Sequence, residues 1–177
     1  MSQIQFVSPA LKRSTKDFPI LNENNETIGY MQRFYTGKVS HILDYIFTGM
    51  FLNIRVLDLS KNVIAEAIEK VERKDYVKFT RQNWNVKTKH YGTLKLLDKT
   101  KINTHPRYEI YINNEPFKIK KDFGERTMYI LNSSDQTIAE ATFEEMILPK
   151  TYTVKVIKPA IDIYLIACLF YILILRD

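Results

Sequence analysis

The chain has 177 residues, 45% of them apolar and 26% charged, with a net charge of +6 from 26 Lys and Arg against 20 Asp and Glu. That length and balance suit one globular domain with a sizeable core and exclude a disordered chain. A single cysteine, Cys168, excludes a disulfide framework and a multi-cysteine metal site, and points to a reducing, cytoplasmic location.

Residues 1–17 are polar and include Lys12, Arg13 and Lys16 with no apolar run, unlike a secretory signal peptide. Glycine and proline are scarce, five and six, and no linker interrupts the chain, so a single domain over residues 1–177 is expected. Apolar and polar residues alternate over short stretches separated by Asn, Asp, Ser and Lys, the pattern of strands joined by turns. Three stretches align without gaps: FPILNENNETIGYM from Phe18, IRVLDLSKNVIAEA from Ile54 and MYILNSSDQTIAEA from Met128. Each runs through a leucine (Leu21, Leu57, Leu131) to a turn-opening Asn22, Asp58 or Asn132. Each resumes at Ile28, Ile64 or Ile138, followed by a small Gly29, Ala65 or Ala139. Asn and Asp suit the turn because their side chains bond the backbone ahead, and the small residue admits a close neighbour.

A weak helical pattern covers residues 41–47. A fourth hairpin is predicted at YEIYINNEPFKIK, where Asn113 and Asn114 tolerate the positive φ of a tight turn. Further strands are predicted at residues 77–82, 91–98 and 152–157, for ten to twelve in all. The chain closes on an apolar helix expected over residues 159–176. Pro159 is expected in its first turn and Asp162 near the positive end of its dipole. Residues 163–175 count only thirteen, short of the roughly 17 to 20 that a membrane span needs. A helix apolar on every face needs burial on every side, which a closed barrel supplies along its axis. The alternative is a tail anchor behind a β-rich cytoplasmic head, with Lys150, Lys155 and Lys158 preceding it and Tyr164 and Tyr171 at the interface.

These hairpins, LDLSKNVIAEA and LNSSDQTIAEA among them, together with the terminal apolar helix, resemble the tubby C-terminal-like superfamily. That group holds tubby domains, LURP-one-related proteins and phospholipid scramblases, and the chain looks like a bacterial-type member. The resemblance spans residues 4–175. It implies a mostly β fold, a closed antiparallel barrel of about twelve strands around a hydrophobic C-terminal helix. It also implies a binding or scaffold domain near membranes rather than an enzyme. Tubby domains bind phosphoinositides and scramblases act at membranes, but no residue motif for either activity is matched here.

His41, His90 and His105 are far apart and outside metal-ligand spacings, and no P-loop, GxGxxG or GxSxG is present. No catalytic residue, metal or cofactor is expected. Glu66 and Glu140 recur in the two IAEA copies, which reads as an outward polar position alternating with buried alanines. Residues 70–91 are rich in Lys and Arg interleaved with Tyr76, Phe79, Trp84 and Tyr91. Lys78, Arg81, Lys87 and Lys89 are therefore candidates for an anionic ligand, Lys87 and Lys89 sharing one strand face. The competing explanation is a solvated edge with its aromatics turned inward. The expected partner of a monomeric chain is an anionic phospholipid surface, met peripherally, or a protein. Nucleic acid ranks lower because neither an RNP-like nor a helix-turn-helix pattern is present.

Overall fold

Strand alternation is visible in burial. In the segment Thr27–Phe34 every second residue from Gly29 to Arg33 is buried, and in Val63–Lys70 Ala65, Ala67 and Glu69 take the inward positions. The computed structural model describes residues 2–9, 11–37, 40–42, 52–70, 83–102, 104–143 and 149–176. It contains twelve strands: β1 (Ser2–Val7), β2 (Phe18–Asn22), β3 (Thr27–Phe34), β4 (Asn53–Leu57), β5 (Val63–Lys70), β6 (Asn83–Thr88), β7 (Gly92–Asp98), β8 (Arg107–Ile112), β9 (Glu115–Lys121), β10 (Thr127–Leu131), β11 (Thr137–Phe143) and β12 (Thr151–Val156). Each pairs antiparallel with its sequence neighbours. The barrel closes where β1 meets β12, with Ser2 opposite Val156 and Val7 opposite Thr151. Predicted strands 91–98 and 152–157 correspond to β7 and β12. The predicted strand 77–82 lies outside the described residues, as does all of the helical pattern at 41–47 beyond residue 42.

The three aligned stretches become three hairpins of one design. The backbone N–H of Asn22, Asp58 and Asn132 donates to the carbonyl of Glu26, Asn62 and Gln136 at 2.9, 2.9 and 3.0 Å. The Oδ1 of the same Asn or Asp accepts the N–H of that residue at 2.9, 2.8 and 2.9 Å. Asn25, Lys61 and Asp135 take φ of 61°, 65° and 55°, the left-handed residue that closes such a turn. In all three the register then shifts at the same place, between Ile20 and Leu21, Val56 and Leu57, and Ile130 and Leu131. Such a bulge bends the hairpin, and three of them help the sheet curl onto itself. The fourth hairpin turns through Asn113 and Asn114 at φ of 51° and 67°, the paired positive values of a two-residue loop.

The lumen is filled by the C-terminal helix, Ile163–Arg176, whose residues from Leu165 through Leu175 are all buried. The ring of Tyr171 meets Phe6 of β1 and Phe18 of β2 edge-on, at 6.4 and 5.1 Å between centroids. At the entering end the Tyr164 hydroxyl donates to the Ile28 carbonyl of β3 at 3.0 Å. The helix starts later than the sequence suggests. Asp162 is its cap, with Oδ1 accepting the N–H groups of Tyr164 and Leu165 at 3.0 and 3.2 Å, and this leaves Pro159 in the preceding bend. At the far end Arg176 donates to Glu69 of β5 at 3.2 Å and lies 5.6 Å over the Trp84 ring. The fully buried Glu69 carboxylate also accepts the Leu52 N–H at 2.7 Å, and the Leu52 carbonyl accepts the Trp84 indole N–H at 2.9 Å. Both ends of the apolar plug are thus tied to the wall by polar groups, which fixes its depth.

A helix of 14 residues is about 21 Å long at 1.5 Å per residue, against about 30 Å of bilayer hydrocarbon. Among the described residues no helix is long and apolar enough to cross a membrane. The segment that a tail anchor would have placed in lipid is the core of the barrel. Burial at its centre pushes the Cys168 thiol up to about 12, so the lone cysteine is a packing residue that resists ionisation.

Two predictions follow from this packing. A Cβ at Gly29 would stand 2.5 Å from the Leu57 carbonyl oxygen and 3.1 Å from the Tyr164 ring. Because the nearer atom is strand backbone, Gly29→Ala should destabilise by about 1 to 3 kcal/mol in denaturant titration; an unchanged midpoint would refute the close approach. Truncation after Lys158 removes twelve buried residues, Ile161 and Leu165 through Leu175. At about 1.5 to 3 kcal/mol for each large one, this exceeds the roughly 5 to 15 kcal/mol by which a domain is stable. The truncated chain should lack a cooperative thermal transition in calorimetry, and a sharp one would show that the wall stands without its core.

Candidate anion-binding face

Charge is unevenly spread along the chain. Residues 83–121, which hold β6 to β9, carry nine Lys and Arg against three Asp and Glu, an excess equal to the net +6 of all 177 residues. Outside this segment the charges balance. Strand alternation turns most of these cations outward, because Trp84, Val86, Leu96, Ile110, Phe117 and Ile119 take the inward positions. The register then sets them side by side: Lys95 opposite Asn85, Lys87 opposite Thr93, Lys118 opposite Glu109 and Lys120 opposite Arg107. Four strands at about 4.8 Å spacing make this a face roughly 15 Å wide.

Some of the cations are already matched. Arg107 pairs with Asp122 and also donates to the Lys121 carbonyl at 2.6 Å. Lys118 reaches Asp135 at 2.7 Å, and the hydrogen bond from it raises the Lys118 pKa. Lys99 stands 3.8 Å from Glu109, and Lys120 stands 3.8 Å from Asp122. Lys87, Lys89, Lys95 and Lys101 form no ion pair with another described residue.

Of the four residues singled out from sequence, Lys87 projects from the outer side of β6 and is exposed. Lys89 does not share its strand face. β6 ends at Thr88, and Lys89 belongs to the following turn, its N–H bonded to the Ile64 carbonyl at 2.9 Å. Lys78 and Arg81 lie outside the described residues. Two of the interleaved aromatics serve the interior. Trp84 is 1% exposed, and the Tyr91 hydroxyl accepts the Asp162 N–H at 3.1 Å. Glu66 and Glu140 occupy equivalent outward positions beside buried alanines, Glu66 opposite Arg55 and Lys87, Glu140 opposite Tyr129 and Lys155. They are far from each other in the barrel order and form no carboxylate pair.

What residue-type reading passed over is the second half of the face, Lys95 to Lys120. There the basic residues are spaced apart by apolar ones and form no run. A charge count along the chain would have found them. The β7–β8 pairing continues past the strand ends: the Lys99 N–H donates to the Arg107 carbonyl at 2.8 Å, and the Arg107 N–H donates to Thr100 Oγ1 at 3.0 Å. Beside it lies a groove of about 450 Å³ lined by residues that include Lys99, Lys101, Ile102, Arg107 and Lys118, and also by Glu109. Among the described residues no group of three or more His, Cys, Asp or Glu is placed to hold a metal ion.

The family model for the Tubby C-terminal like domain matches residues 4–176, and the chain belongs to that family. The fold is similar to that in an X-ray structure of a protein from Arabidopsis thaliana, with a TM-score of 0.53, 16% identity, and coverage of 97% of this chain and 89% of that one. Comparison with curated proteins gives no match. Membership supports a binding or scaffold domain in general, in a family that is generally non-enzymatic.

One wall of the groove can be tested by titration. The hydrogen bond from Arg107 lowers the Asp122 pKa below the ordinary aspartate value of 3.8. The pair's contribution is therefore complete above that ordinary value and is lost as pH falls through the lowered one. In Arg107→Gln the Asp122 carboxyl resonance should titrate at higher pH than in the parent, as read by NMR. An unmoved midpoint would mean that the pair does not form.

Proposed function

We propose that the chain is a non-enzymatic peripheral binding domain that docks its β6–β9 face on anionic phospholipid surfaces. The observation that carries this reading is that residues 83–121, four adjacent strands of a closed barrel and the connections between them, hold an excess of positive charge equal to the net charge of the chain. A one-sided charge of this kind orients the molecule toward a negative surface, each basic side chain near the surface contributing about 1 kcal/mol. Lys87, Lys89, Lys95 and Lys101 are the first contributors, because none of them forms an ion pair with another described residue, and Lys78 and Arg81 extend the set by sequence. The surface in question is the cytoplasmic leaflet, where anionic lipids concentrate.

Sedimentation with vesicles tests it. Binding to phosphatidylserine-containing vesicles should exceed binding to pure phosphatidylcholine and should fall steeply between low and physiological salt. Lys87→Glu with Lys95→Glu should weaken it about tenfold or more, and Lys78→Glu with Arg81→Glu should add to the loss. Equal binding to neutral vesicles, or indifference to both pairs of reversals, would end the proposal.

A further inference from the structure

The groove beside the outer ends of β7 and β8 differs in chemistry from the flat lysine face around it. Its volume of about 450 Å³ falls in the range of small-molecule pockets, roughly 300 to 1,000 Å³. Ile102 in its lining is 62% exposed and stays outside the buried cluster, so it offers apolar surface to a ligand beside the charged groups. The polar half is more economical than the number of basic residues suggests. The Arg107 guanidinium is committed to Asp122, Pro106 and Lys121, and the Lys118 ammonium is committed to Asp135. Lys99 stands at 3.8 Å from Glu109, too far for a hydrogen bond. Lys101, with no ion pair to another described residue, offers the uncommitted charge.

We infer that this groove binds a small amphiphilic monoanion, a carboxylate whose head meets Lys101 and whose apolar tail lies against Ile102. One uncommitted cation matches one negative charge, and an apolar lip gives nothing to a fully hydrated ion. A multiply charged headgroup would require Arg107 and Lys118, both already held. The site is independent of vesicle docking, because the ligand enters as a monomer from solution, so either inference can fail without the other.

Isothermal titration with decanoate below its micelle concentration, with no vesicles present, tests the inference on the full chain. Decanoate should saturate one site. Lys101→Glu and Ile102→Asp should each weaken it about tenfold, the loss expected when about 1.4 kcal/mol of head or tail contact is removed. Both residues are exposed, and thermal melts should be unchanged in the two variants. Decanol, which lacks the charge, and inorganic phosphate, which lacks the tail, should each bind at least tenfold more weakly than decanoate. Absence of saturable decanoate binding, binding unaffected by both substitutions, or phosphate binding as tight as decanoate would each overturn the inference.

Discussion

The rest of the structure depends on one constraint: a helix that is apolar all round has no side it can show to water. Eleven consecutive residues, Leu165 to Leu175, must be covered from every direction, and a flat sheet or a pair of sheets covers a helix from one or two. A sheet closed on itself covers it completely and leaves no strand edge exposed. The wall and the plug are therefore each other's solvent. Each strand contributes its inward residues to a shared cluster that includes the whole helix, and neither part has another place to bury them. Specific depth comes from the polar ends, Asp162 capping the entry and Arg176 meeting Glu69 at the exit, because apolar contact alone would let the helix slide.

Curling a meander around so slender an axis needs bends at set places, and the repeated hairpin supplies them. The Asn or Asp at the turn, the left-handed residue three positions on, and the bulge beside Leu21, Leu57 and Leu131 act together in each copy. The small residue after the isoleucine follows from the same curvature. Ala65 and Ala139 suffice in two copies, while the third uses Gly29 because the Tyr164 ring and the Leu57 carbonyl converge there. Placing the positive excess on residues 83–121 leaves the three bulged hairpins, which lie elsewhere in the barrel, free of ligand duty.

Local rules made the hairpins legible, since an Asn or Asp bonding the backbone two to four residues ahead is written in neighbouring letters. The core helix was legible for a different reason: its apolar run is too short for a bilayer and too uniform for a surface. The start of that helix was misplaced because Pro159 and Asp162 are both acceptable at a helix entrance, and only the position of the barrel mouth decides between them. The binding face was half legible. Lys87 and Lys89 stand in a dense basic run, whereas Lys95, Lys101 and Lys118 join them only through the pairing of β6 to β9. Trp84 reads as a stacking aromatic until the alternation of β6 turns it toward Arg176. The groove could not be foreseen, because its lining joins residues of the β7–β8 connection to Arg107, Glu109 and Lys118 on strands that come after them.

Placing the filling of the barrel after all twelve strands has a kinetic cost. Synthesis delivers β1 to β12 before the residues around which they close, and the seam joins Ser2 to Val156 across almost the whole chain. Growing N-terminal portions thus carry inward rows such as Ile20, Met31, Ile54 and Val56 with nothing to cover them. Pairing so distant in sequence is slow, and uncovered strands invite association with other chains. The wall cannot cover its inward rows until the helix is available, because strands and helix share one buried cluster.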